Sequence, residues 1–233
     1  DRLPSGGIGL VSQSGALMAT MFDRAMTRGI GFSHCFSIGN QADLELCDFV
    51  DFLAQDERTA VICTYVEGVK DAARLRRSAA LVRASGKPWL MVKAGRTSSG
   101  AAAAFSHTAS LAGSYETFAA ICRDSGILLM DDVDAMTMLA AGLERFPGHR
   151  VERAAVVTTS GGGGAITADR MHDAGIPLAT LAPATVEALT AVYPPSHADI
   201  NPLDMGAAQA GGSTHASLPT MQALMRDEGV DIV

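Results

Sequence analysis

Short, almost wholly apolar runs recur along the first part of the chain, at Gly7–Val11, Gly31–Ile38, Ala60–Val66, Pro88–Val92 and Gly126–Met130. Between them the apolar positions switch to helical spacing, over Ala16–Thr27, Leu44–Ala54, Lys70–Ala84, about Leu111–Asp124, and Val133–Arg145. In the second of these, Leu46, Phe49, Val50 and Leu53 fall on one face. Asp43 is placed to cap that helix at its start, and Gly86 to close the next one. Strands that are apolar on both sides and alternate with helices predict a parallel sheet covered on both faces. In such sheets ligands sit beyond the carboxyl ends of the strands.

The scheme stops at Pro147-Gly148 and restarts, so a domain boundary is expected there, with residues 1–148 as one domain and 149–233 as a second. In the second, Arg153–Thr159 reads as a strand, Ser160-Gly161-Gly162-Gly163-Gly164 as a glycine turn and Ala165–Asp173 as a helix. Pro177–Leu181 reads as another strand, Ala184–Val192 as a helix ended by Pro194-Pro195, and Asn201-Pro202-Leu203-Asp204 as a turn. A last helix crosses Leu218–Met225. Both halves open with a strand, a small polar turn and a helix, without a sequence repeat.

Composition narrows the class of partner. Hydrophobic residues make up 48% of the chain and charged residues 18%, with a net charge of −7. With no basic run, nucleic acid and anionic membranes are excluded as expected partners. No apolar run reaches membrane-spanning length. Cys35, Cys47, Cys63 and Cys122 sit singly in apolar runs, which reads as reduced core thiols in the cytoplasm rather than a zinc or disulfide framework. No metal site is expected. The first residues carry no signal-peptide pattern, and both ends read as cut, so we expect an excerpt from a longer polypeptide.

Polar chemistry gathers at the predicted strand ends. Ser12, Gln13, Ser14 and Gly15 follow the first strand, where hydroxyls and free N–H groups suit a phosphate cradle. An ordinary helix cap and a nucleophile elbow on Ser14 are the alternatives, the elbow lacking its glycine two residues earlier. Glu67 ends the third strand. The fourth leads into Lys93–Gly113, a long run of small residues around His107, and such loops are functional or mobile. A carboxylate on one imidazole nitrogen fixes the tautomer and frees the other to attack. Gly161, Gly162, Gly163 and Gly164 lack the third glycine of a dinucleotide fingerprint and the acid that would follow it, so they suit a phosphate at a helix start better.

Four motifs in order carry a family resemblance: Gly9-Leu10-Val11-Ser12-Gln13-Ser14-Gly15, Gly39-Asn40-Gln41-Ala42-Asp43, Tyr65-Val66-Glu67-Gly68 and Ser106-His107-Thr108-Ala109-Ser110-Leu111-Ala112-Gly113. Together they resemble the NDP-forming acyl-CoA synthetases, the superfamily of succinyl-CoA synthetase and ADP-forming acetyl-CoA synthetase. The resemblance implies two flavodoxin-like, doubly wound, mainly parallel α/β domains in tandem. The first is similar to the ligase domain of the succinyl-CoA synthetase alpha subunit. The second, through Thr159-Ser160 with the glycine run and Asn201–Asp204, is similar to the carboxy-terminal domain of its beta subunit.

By the same resemblance His107 is the phosphorylated histidine and Glu67 its carboxylate partner. Ser12 to Gly15 and Gly161 to Gly164 are phosphate-binding helix starts. The implied reaction interconverts acyl-CoA, phosphate and NDP with acid, CoA and NTP through an acyl phosphate. CoA, phosphate and ADP or ATP are then substrates, with no tightly bound cofactor. The missing CoA-binding domain and the ATP-grasp domain with its Mg are partners, and a homo-oligomer is possible. Ala109 departs from the glycine usual in the family but removes no chemical group. The alternative is a regulatory acyl-CoA-synthetase-like region fused to a protein lysine acetyltransferase.

Overall fold

The computed structural model describes residues 3–100, 102, 114–193, 200–206 and 214–233, without the side chains of 214 and 215. The chain divides into two compact units, Asp1–Gly148 and His149–Val233.

In the first unit, strands β1 (Ser5–Ser12), β2 (Phe32–Ser37), β3 (Val61–Val66), β4 (Trp89–Lys93) and β5 (Leu128–Met130) form one sheet of order β2-β1-β3-β4-β5. All four pairings are parallel. Helices α1 (Gly15–Thr27), α2 (Leu46–Gln55), α3 (Ala72–Ala84), α4 (Tyr115–Ser125) and α5 (Val133–Arg145) cover it. Strand alternation sorts the buried side chains into two layers. Val11, Ile62, Val66 and Met91 face α2, α3 and α4, whereas Ile8, Leu10, Cys63 and Leu90 face α1 and α5. Gly9 points at α2, where a Cβ would lie 2.7 Å from Leu53 Cδ2, so the close approach of helix to sheet requires glycine. Trp89 Nε1 donates to Thr64 Oγ1 at 2.9 Å, which satisfies the one polar atom of the largest buried side chain.

Some boundaries differ from the sequence reading for identifiable reasons. Asp43 does not cap α2. The chain turns at Gln41, in a left-handed conformation (φ 54°), and Gln41 Oε1 accepts the N–H of Leu46 at 2.8 Å. The helix therefore starts two residues later than expected, with Glu45 at its cap and Asp48 accepting the Glu45 N–H. Lys93 belongs to β4, and residues 98–100 are already helical, so the small-residue run does not begin as open loop. α4 starts at Tyr115, capped by Ser114 Oγ.

The second unit keeps the parallel α/β scheme with a thinner ladder. β6 (Val157–Thr158) pairs with β7 (Leu203–Asp204), and isolated parallel bridges join Ala154 to Leu178 and to Ile232. The expected strands Arg153–Thr159 and Pro177–Leu181 shrink to these contacts. Asn201–Asp204 is not simply a turn. Asn201 accepts from Val156 N and donates to Ala154 O and Ala179 O, stitching three segments with one side chain. The glycine run is likewise not a turn, because Gly161–Gly164 form the first turn of helix α6 (Gly161–Asp173). Helices α7 (Pro183–Thr190) and α8 (Thr214–Met225) enclose a core of Ala155, Leu181, Leu189, Tyr193, Leu203 and Leu224.

Candidate functional site

A sheet of order 2-1-3-4-5 reverses its winding between β1 and β3, and that is where a doubly wound sheet opens a crevice. Ser12 ends β1, Gln13 and Ser14 follow it, and Glu67 follows β3, so the structure brings these predicted residues to one point. Each has a separate task. The Ser12 hydroxyl is buried, donates to Ser14 O at 2.8 Å and accepts from Ser14 N at 3.1 Å, which sets the turn. Gln13 reaches sideways. Its main-chain N–H donates to Tyr65 O at 3.1 Å. Its Oε1 accepts from Glu67 N and Gly68 N, and its Nε2 donates to Gly68 O at 2.8 Å. Ser14 is the N-cap of α1, its Oγ accepting from Leu17 N at 3.2 Å.

The side chains of Ser12 and Gln13 are thus used in building the site. The donors that remain for an anion are the N–H groups of Gly15 and Ala16, which have no intrahelical acceptor and carry the positive end of the helix dipole. Gly15 lies under β2, where a Cβ would meet Ser37 Oγ at 3.3 Å.

Glu67 is half-buried beside Tyr65 and Lys93. Burial, reinforced by the Glu67 carboxylate, raises the pKa of the Tyr65 hydroxyl. Burial lowers that of Lys93, and the same carboxylate opposes the shift. Lys93 bounds the His107 stretch in the sequence, but no motif marks it as a residue of the site. Its one signal was a lysine at the tip of an otherwise buried strand. His107 lies outside the described residues.

The second unit repeats the turn in detail. Thr158 Oγ1 donates to Ser160 O and accepts from Ser160 N, both at 3.0 Å, as Ser12 does with Ser14. Ser160 caps α6, accepting from Gly163 N at 3.3 Å. Ser37 is the register partner of Ser12, and Asp204 that of Thr158. Correspondingly, a Cβ on Gly161 would meet Asp204 Oδ2 at 3.2 Å. One difference stands out: a carboxylate occupies the place of a hydroxyl beside the second helix start. Among the described residues, no group of three or more His, Cys, Asp or Glu could hold a metal, and no helix is long and apolar enough to cross a membrane.

The strand order and the polar turns at its switch point define the first unit as a flavodoxin-like α/β domain. Residues 5–143 match the family described as "Succinyl-CoA ligase like flavodoxin domain". The chain belongs to this family, within the NDP-forming acyl-CoA synthetases. It is 38% identical to the alpha subunit of acetate–CoA ligase [ADP-forming] II of Pyrococcus furiosus, over 98% of this chain and 49% of that protein. It is 39% identical to acetate–CoA ligase [ADP-forming] I of Archaeoglobus fulgidus, over 98% of this chain and 32% of that protein. Among solved structures, it resembles acetyl-coenzyme A synthetase 1 of Ca. Korarchaeum cryptofilum in complex with phosphate and ADP. The TM-score is 0.87 at 31% identity, covering 99% of this chain and 50% of that one. The chain thus spans half or less of the length of each.

Proposed function

We propose that this chain supplies the ligase domains of an NDP-forming acid–CoA ligase. In the reaction, phosphate displaces CoA from an acyl-CoA, the acyl phosphate passes its phosphoryl group to His107, and the phosphohistidine passes it to NDP. Glu67 orients the imidazole and stabilises its positive charge. One phosphoryl group carries about two negative charges, and the helix start at Gly15 and the helix start at Gly161–Gly164 each offer main-chain N–H donors to such a group. The domain identities follow the same reading, with residues 1–148 alpha-subunit-like and 149–233 beta-subunit-like. CoA-binding and ATP-grasp domains complete the enzyme as partners, and Mg accompanies the nucleotide there. Four free cysteines support a cytoplasmic setting.

The observation that carries this reading is the Gln13 bridge, which ties the α1 start to the main chain of Glu67. Anion donors and a carboxylate then share one rigid support. The test is incubation of the full-length enzyme with labelled NTP. Acid-labile, base-stable label is expected on the wild type, none on His107→Ala, and strongly reduced labelling on Glu67→Gln, since losing tautomer control costs up to about 10⁴ in rate elsewhere. Label persisting in His107→Ala would refute the assignment.

A further inference from the structure

Lys93 ends β4 and begins the stretch that leads to His107. The residue is half-buried, and its ammonium is engaged by main-chain carbonyls. Nζ donates to Glu67 O at 2.8 Å and to Ala94 O, and lies 5.8 Å from the ring centroid of Phe118. Burying an ammonium group has a free-energy cost, and an apolar residue of similar volume often gives equal or better stability. A lysine here therefore calls for a task beyond packing.

That task is visible in the peptide it grips. Glu67 N–H is held by Gln13 from β1, and Glu67 C=O by Lys93 from β4. With both main-chain polar groups fixed from opposite sides, the Cα–Cβ direction in which the Glu67 side chain leaves the strand is fixed as well. The second bond, to Ala94, anchors the first peptide of the His107 stretch to the same nitrogen.

We propose that Lys93 is a positioning residue for Glu67, pinning the end of β3 and the exit of β4 together so that carboxylate and histidine stretch leave the sheet from one anchored point. The proposal rests on the phosphohistidine reading above. Lys93 acts through Glu67 and touches no reacting atom.

The test uses the full-length enzyme and the rate at which labelled NTP labels it. Lys93→Met should lower that rate by about 10²-fold, the scale of an ångström-level misplacement, with little change in the NTP concentration giving half the maximal rate. Combined with Glu67→Gln it should cause no further loss, because the two act as a unit. Losses that multiply in the double variant would mean Lys93 acts independently, and would overturn the proposal. So would wild-type labelling in Lys93→Met, although that result leaves the phosphohistidine intact. An unlabelled wild type removes both. If Lys93→Met does not fold, Lys93→Gln, which keeps an N–H donor without the charge, serves in the same comparisons.

Discussion

At the tip of β1, Gln13 uses both polar atoms of its side chain on the end of β3. Its Oε1 serves two amides beyond the last ladder residue, and leaving a buried donor unpaired costs about 1–3 kcal/mol. Glu67 and Gly68 are only half-buried, so Gln13→Leu should destabilise the chain by about 2 kcal/mol, read as a lower denaturant midpoint at unchanged slope. An unchanged midpoint would show that water replaces the side chain freely. The sequence marked Gln13 as a residue of this site, but as a phosphate ligand. Nothing in a linear motif tells a side chain that faces an anion from one that faces a neighbouring strand. The same limit hid Lys93, and it misled at Asp43, where a left-handed Gln41 moved the helix start.

At the scale of the element, the glycine run of α6 shows what composition cannot decide. Four glycines read as a turn, yet they form a helix because Ser160 caps them and Thr158 fixes Ser160. The four positions are not equivalent. A Cβ on Gly162 meets nothing nearer than Ser160 Oγ at 4.0 Å, whereas one on Gly164 would come within 3.2 Å of both Pro202 and Thr158. Alanine favours a helix over glycine by up to about 1 kcal/mol, and overpacking costs about 1–3 kcal/mol. Gly162→Ala should therefore raise the thermal midpoint and Gly164→Ala lower it. Shifts of the same sign would contradict the packing described. The strands of the first unit were legible because they are apolar on both faces. Those of the second were drawn too long, because Asn201 does work that a ladder does elsewhere.

Across the whole molecule, each unit has its own core and its own carboxylates held in the ionised form. Asp56 has its pKa lowered, first by the hydrogen bond from Thr59 and also by His34 and Arg58. At Asp227 burial raises the pKa, but bonds from Ala182 N, Thr185 and Gly229 N outweigh it. Asp231 is lowered by the N–H of Glu152 and then that of Arg153. A lowered folded-state pKa means that the unfolded chain binds more protons there. The stabilisation is thus complete above the ordinary aspartate value of about 3.9 and is lost as pH falls through the folded values. Thermal unfolding followed by circular dichroism should show a midpoint that is steady from about pH 6 to pH 5 and drops below about pH 4. Asp227→Asn should blunt that drop, and an equally steep decline in the variant would rule out Asp227 as a contributor. The parallel α/β plan was fully legible at this scale, since it follows from periodicity alone.

The bridge from Gln13 also bears on time. The end of a strand ordinarily frays in nanoseconds to microseconds, because its last amides have only water to lose. Here the amides of Glu67 and Gly68 close on a side chain rooted at the end of β1, so their release requires the Gln13 bonds to break first. The main chain that carries the carboxylate therefore frays more slowly than a free strand end, although it stands at the crevice where a doubly wound sheet meets its ligands.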